Sequence, residues 1–334
     1  TQITQLPDNL TVYGYFDLSN TQIIQLPNNL EVRGGLNLSG TQITQLPNNL
    51  KVGGSLDLSN TLITQLPYSL TVGCSLNLSN TQINKLPDNL TVGKGLNLSN
   101  TLITQLPNNL TVVDGFLNLS NTPITQLLNN LTVGGYLDLG NTPITQLPNN
   151  LTVGGSLILS NTQITQLPDN LTVGGSLNLS NTPITQLPDN LTVGGRLGLS
   201  NTPISQLPDN LTVGGDLFLC GTQITELPNN LSIGGELITH EGQLTNPDNF
   251  KKLPQNHTLI WQNGKYIKID GIFSEFIKKK GNVYIARKIG RNDLTYVVTD
   301  GVNFAHGETV KEAKESLLYK VSDRNVFEKF FTKE

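Results

Sequence analysis

The 334 residues carry a formal net charge of −4, with 14% charged and 6% aromatic residues beside 32 glycines. A chain this long can bury a large core, but so little charge and so few aromatic side chains are unlike an ordinary globular enzyme. No stretch approaches about eighteen consecutive apolar residues and no basic-then-apolar segment opens the chain, so neither a membrane span nor a secretion signal is visible in it.

The chain starts directly on a repeated phrase. Copies begin at Thr1, Thr21, Thr41, Thr61, Thr81, Thr101, Thr122, Thr142, Thr162, Thr182, Thr202 and Thr222, all of twenty residues except one of twenty-one. Self-similarity at this period means a solenoid. The first residue fills the first slot of a repeat and the chain has no Met, which leads us to expect an upstream piece carrying a cap or targeting segment.

The copy from Thr162 to Asn181 shows how a coil is built. Its six apolar slots, Ile164, Leu167, Leu171, Val173, Leu177 and Leu179, are too few for a core, so neighbouring copies must stack. Ser176-Leu177-Asn178-Leu179-Ser180 alternates polar and apolar, which predicts a strand with one buried face and, across copies, a parallel sheet. Gly174-Gly175 predicts a bend into that strand; Lys94 takes the second glycine slot in one copy, and Asp114 falls beside it in another. Leu167-Pro168-Asp169-Asn170-Leu171 keeps its Pro in eleven of twelve copies, Leu128 being the exception, and predicts an extended or short 3₁₀ segment on the other side of the coil. The Thr opening each copy is expected to hydrogen-bond a neighbouring coil, and Gln5, Gln25, Gln45, Gln65 and their successors to form a second structural ladder. The long copy, Thr101 to Asn121, carries its extra residue around Val113-Asp114, most simply as a tolerated bulge and otherwise as a change of curvature.

These residues carry a resemblance. Leu177-x-Leu179-x-x-Thr182-x-Ile184 resembles the leucine-rich-repeat consensus, with Thr where Asn is usual. Leu187-Pro188-Asp189-Asn190-Leu191 is similar to the short repeats of bacterial leucine-rich-repeat effectors, and the whole phrase resembles leucine-rich-repeat proteins of bacteriophages and bacteria. The resemblance covers about 240 residues. It implies a mainly β leucine-rich-repeat solenoid of about twelve coils with a parallel sheet and a helix-poor convex side. A parallel β-helix-like solenoid is the alternative. It also implies a non-enzymatic protein that binds another macromolecule, in a phage a host protein.

Departures from the phrase mark candidate contact residues. The slots around the predicted strand are mostly Gly, Ser or Asn, but early copies place Tyr13, Tyr15 and Arg33 there. Middle copies place Asp114, Phe116, Tyr136, Asp138 and Ile158, and late copies Arg196, Asp216, Phe218, Glu236 and Ile238. Aromatic side chains beside carboxylates on an otherwise small polar face suit a protein, peptide or polymer partner, and eleven steps of about 4.8 Å make that face roughly 50 Å long.

Charge changes sign where the repeats end. Residues 1–241 carry a net −9 and residues 242–334 a net +5, so the solenoid is assigned to 1–241. Residues 242–257, which echo the phrase at Gln243-Leu244-Thr245 and Leu253-Pro254-Gln255-Asn256, are expected to form a degenerate capping coil. Residues 258–334 are expected to form a small α+β domain resembling the one attached to the phage repeat proteins. Its strands are predicted at Thr258–Gln262 and Lys265–Phe273 around an Asn263-Gly264 turn, then at Asn282–Ile289 and Leu294–Thr299. A helix follows over Val310–Tyr319, with Thr309 and Glu312 as a capping box, and a short helix from Ser322.

Chemistry-bearing patterns are scarce. His240, His257 and His306 are the only histidines and no metal-ligand or nucleophile spacing occurs, so no catalytic residue, metal or cofactor is assigned. The pair His306 and Glu308 reads as an ordinary turn. The lack of Cys after Cys220 argues against the ubiquitin-ligase activity that some similar bacterial effectors carry. Cys74 and Cys220 lie seven coils apart, beyond disulfide reach, which fits a reducing cytoplasm, that of the host cell if the gene is a phage's; a virion or cell surface is the alternative place. Lys278, Lys279, Lys280, Arg287, Lys288 and Arg291, on a predicted loop and hairpin with Tyr284 and Tyr296, offer a nucleic-acid alternative. Self-association, as a structural or adhesive component, is another.

Overall fold

The computed structural model describes residues 4–108, 110, 115–254 and 258–331. A coil contributes two short strands separated by a bend at its glycines, for example Thr172–Val173 and Leu177–Asn178. The second strands of all twelve coils, from Phe16–Asp17 to Leu237–Ile238, pair in parallel as one front sheet. Leu96 pairs with Leu117 across the twenty-one-residue copy, so its extra residue leaves the front register intact. The first strands make a second surface that the sequence did not suggest: a five-stranded side sheet from Thr11–Val12 to Thr91–Val92 and a seven-stranded one from Thr132–Val133 to Lys251–Lys252. Asp114 and the insertion around it lie outside the described residues.

The six apolar slots point inward and join one continuous core from Leu18 to Ile233. The Pro-bearing segment is extended and closes in a turn, where the Leu171 N–H donates to the Pro168 carbonyl at 3.0 Å. A second corner follows the front strand. Its last residue is left-handed, as at Asn161, Asn181 and Asn201 with φ of 59°, 59° and 58°; two copies lacking Asn there have Gly40 at 68° and Gly221 at 75°. Asn and Gly are the residues that reach this region most cheaply.

Two expectations about polar ladders are corrected. The Thr hydroxyl bonds three residues back along the chain rather than across the stack: the corner folds the carbonyl just after the front strand beneath it, so Thr162 Oγ1 donates to Leu159 O at 2.7 Å, and the same bond recurs down the stack. The Gln ladder is absent. Gln45, Gln146 and Gln166 are exposed, and among the described residues the amides that bond to their own counterparts in the next coil are asparagines, such as Asn161 Nδ2 to Asn141 Oδ1 at 2.8 Å and Asn201 Nδ2 to Asn181 Oδ1 at 3.0 Å.

Residues after the last full coil cover the open end. Lys251–Lys252 pairs with Ser232–Ile233, Leu244 and Phe250 pack on the core, and the Gln243 amide donates to Leu219 O and Thr222 Oγ1, both at 3.0 Å. The tail then forms a six-stranded antiparallel meander, Leu259–Trp261, Tyr266–Ile269, Ile272–Lys280, Val283–Lys288, Leu294–Thr299 and Phe304–Gly307, followed by a helix over Val310–Phe331. The single strand predicted over Lys265–Phe273 is two, because Asp270 (φ 51°) and Gly271 (φ 76°) turn the chain. The strand at Phe304–Gly307 was not foreseen, and the two expected helices are one. Thr309 Oγ1 accepts the Glu312 N–H at 3.2 Å, while Glu312 reaches back to the Glu308 N–H at 3.0 Å.

Candidate binding face

Ten of the varied residues lie on the front sheet or directly before its strands: Tyr15, Phe116, Tyr136, Asp138, Ile158, Arg196, Asp216, Phe218, Glu236 and Ile238. Apart from Tyr15, which lies beside Gly35 at the start of the array, they fall into two patches. In the middle of the array the Phe116 and Tyr136 rings lie parallel, 2° apart in plane with centroids 4.8 Å apart. The Phe116 ring occupies the space above Gly95, where any Cβ would collide with it. Asp138 and Ile158 stand in register beside them. The Asp138 carboxylate accepts the Gly140 N–H at 2.9 Å, yet burial pushes its pKa up, and burial together with the Asp138 charge also raises the Tyr136 phenol.

The second patch begins two coils further on. Arg196 Nε lies 2.9 Å from Asp216 Oδ2, and Asp216 Oδ1 accepts the Glu236 N–H at 2.9 Å. Phe218 pairs in register with Ile238 on one side and with Gly198 on the other, so its ring stands beside a notch.

Tyr13 and Arg33 belong elsewhere. They occupy the first glycine slot, at the bend into the side sheet, where the Arg33 guanidinium lies 4.6 Å from the Tyr13 ring centroid and 3.4 Å from Glu31. Arg33 lines an open groove of 620 Å³ with Glu31, Asn49, Lys51 and Thr71.

The basic residues of the tail do not gather on one surface. Lys278, Lys279 and Lys280 sit on the strand Ile272–Lys280 rather than on a loop, opposite Ile285, Tyr284 and Val283. Alternation along that strand therefore sends Lys279 to the opposite face from its neighbours, with its ammonium 4.6 Å from the Tyr284 ring. Arg287 is 3.5 Å from Glu275, and Lys288 and Arg291 flank the next turn. Tyr284 and Tyr296 are partly buried in separate tail clusters. His306 Nδ1 is 3.1 Å from Asp270 Oδ2, which Lys320 also meets at 2.6 Å, so its partner is Asp270 rather than Glu308. Among the described residues no group of His, Cys, Asp and Glu could hold a metal, and no helix is long and apolar enough to cross a membrane. Cys74 and Cys220 are both free thiols.

Sequence reasoning missed how the tail sits. It folds back along the seven-stranded side sheet: Trp261 Nε1 donates to Thr192 O at 2.7 Å, Gln262 Nε2 to Asn170 O at 3.0 Å and Thr172 Oγ1 at 2.8 Å, and Lys268 Nζ to Gly194 O at 2.6 Å. Phe273 lies against Gly174, where a Cβ would strike both its ring and the Gly154 carbonyl. Burial of Lys268 lowers its pKa. The one available signal was the chain's single Trp, set in an alternating strand.

Parallel coils, a Leu-x-Leu front strand in ten of the twelve and a back without helix among the described residues define a leucine-rich-repeat solenoid with an α+β tail domain. No family model matches the chain, and no curated protein does. Solved structures similar to it include the leucine-rich effector YopM of Yersinia pestis, at 18% identity over 75% of this chain and 84% of that one, with a TM-score of 0.46. A leucine-rich-repeat protein of Leptospira interrogans is 22% identical over 64% and 67%, with a TM-score of 0.40. A chain of the Drosophila Toll–Spatzle complex is 16% identical over 82% and 50%, with a TM-score of 0.46.

Proposed function

We propose that this protein acts by binding another protein across its front sheet, through the Phe116–Tyr136–Asp138–Ile158 patch and the patch from Arg196 to Ile238. The observation that carries the reading is the ring pair. Two aromatic side chains are held parallel on a surface whose other slots are mostly Gly, Ser, Asn and Asp, and a large rigid contact of this kind is what interface hot spots are made from. The partner is a host protein met in a host cytoplasm, which is what the likeness to phage and bacterial repeat proteins implies. The nucleic-acid alternative is the weaker reading, because the strand register divides the tail cations, with Lys278, Lys280 and Arg287 on one face of the sheet and Lys279 and Lys288 on the other. Capture from bacterial lysate should compare the native chain with Phe116→Ala/Tyr136→Ala and Phe218→Ala/Ile238→Ala. A species retained by the native chain and lost, by at least tenfold, with either pair supports the front sheet; retention unchanged by both pairs refutes it.

A further inference from the structure

Most slots of the repeat serve the fold directly. Apolar slots fill the core, the opening Thr and the corner Asn complete turns, and the glycines permit close stacking. The second, fourth and fifth slots do none of this. Side chains such as Thr165 and Gln166 are exposed and make no hydrogen bond among the described residues, yet Thr and Gln recur there in nearly every copy. They form a ridge along the back of the solenoid, opposite in role to the varied front. Its composition is not uniform. The second slot is apolar in coil four, at Leu62, and in coils six, seven, eight, ten and eleven, at Leu102, Pro123, Pro143, Pro183 and Pro203, but Gln in coils five, nine and twelve. The only charges anywhere in these three slots are Lys85 in coil five and Glu226 in coil twelve.

We infer that this back ridge is a self-association surface, on which a second copy packs antiparallel about a two-fold axis lying across the coils between the eighth and ninth. That axis puts coil five opposite coil twelve, so Lys85 faces Glu226 of the second copy and Glu226 faces its Lys85, an isologous arrangement. It sets Pro143 against Gln163 beside the axis, Pro123 against Pro183 and Leu102 against Pro203 next to them, and the charges at both ends, so the less polar contacts lie inside a polar rim. The acidic turns beside the ridge obey the same register: Asp169, Asp189 and Asp209 face Asn149, Asn129 and Asn108, whereas sliding the axis onto coil nine would set Asp169 against itself. A copy of this chain also shares the coil spacing, so hydroxyls and amides, each donor and acceptor, stay matched along the whole overlap. Eight coils span about 34 Å and the ridge is about 10 Å wide. The footprint of roughly 350 Å² per partner is below what a stable complex buries, so the dimer is a concentration-dependent one.

Sedimentation equilibrium of the full chain over a wide concentration range tests this at low salt. The weight-average mass is expected to rise from 36.2 kDa towards twice that value. Lys85→Glu and Glu226→Lys each set like charges face to face at both ends, and each is expected to weaken association at least tenfold. The double variant Lys85→Glu/Glu226→Lys restores both pairs and should recover native association. A mass fixed at that of the monomer overturns the inference, as does a double variant no better than the singles. Phe116→Ala/Tyr136→Ala should leave association unchanged, so failure of the front-sheet reading and failure of the dimer are separately visible.

Discussion

Replacing Asn181 tests the stacking geometry at a single atom. Its φ of 59° is left-handed, a region that costs a residue with a Cβ about 1–2 kcal/mol, and its Oδ1 accepts from Asn201 Nδ2 at 3.0 Å on the exposed edge. Asn181→Gly removes only that exposed hydrogen bond, about 0.5 kcal/mol, with a small added entropy cost in the unfolded chain. Asn181→Ala loses the same bond and must also hold Ala left-handed, for a total of about 2 kcal/mol. The chain already uses the tolerated exchange at Gly40 and Gly221. Urea unfolding followed by far-UV circular dichroism gives the comparison, provided slopes match so that the array is unfolding in the same cooperative unit. Equal midpoints for Ala and Gly would show that left-handed backbone is not what selects Asn at this corner.

Other outcomes follow from the same contacts. Thr162→Val removes the hydroxyl bond to the Leu159 carbonyl, which keeps the Thr162 N–H at 3.2 Å, and should cost about 0.5–1.5 kcal/mol, while Thr165→Val on the back ridge should stay within about 0.5 kcal/mol of native in urea unfolding. Gly174→Ala introduces a Cβ against the Gly154 carbonyl and the Phe273 ring, so the tail should loosen; Trp261, the only Trp and 4% exposed, reports this as a red-shifted emission. Asp138→Asn should stabilise the protein at neutral pH. Burial raises the folded-state pKa of Asp138, so the native state holds its proton more tightly than the unfolded chain, and stability falls as pH rises from the ordinary carboxylate value of about 3.9 through the raised one. Unfolding midpoints measured across pH should show the gain from Asn at pH 7 and its disappearance in acid below that ordinary value.

The solenoid was legible because its signal is periodic. Ile164, Leu177 and Leu179 recur at fixed spacing, and burying them allows little besides stacked coils. The side sheet was hidden because Thr172-Val173 is too short a run to show alternation, and its pairing depends on a neighbour twenty residues away rather than on local propensity. The polar ladders were misassigned for a related reason: Gln and Asn have the same hydrogen-bonding groups, and only backbone direction decides which amide points at its counterpart in the next coil. Tail docking was illegible because its acceptors are the carbonyls of Thr192, Gly194 and Asn170, which every residue possesses. The varied front residues were visible as departures, but Tyr13 and Arg33 sit on the bend, since one slot's difference in a turning chain changes the face.

Asp138 shows how to separate a departure that matters from one that does not. Its slot has a structural role, accepting the N–H two residues on, and Asn118 and Asn178 perform it at 3.0 Å in coils on either side. An Asp does the same at 2.9 Å but carries a half-buried charge that the neighbouring Tyr136 phenol does nothing to neutralise. Asp17 fills the equivalent slot in the first coil while exposed, and its pKa is lowered by the hydrogen bonds it accepts from Ser19; there the charge is harmless. What differs in the middle of the array is the wall of Phe116, Tyr136 and Ile158 that shields Asp138 from water. If the front sheet binds a protein as proposed, a carboxylate kept beside apolar rings, where the repeat's own Asn would be less costly, would be matched by a cation arriving with that partner. Charge would then be neutralised as the rings are covered, so the same desolvation that weakens the free protein strengthens the complex.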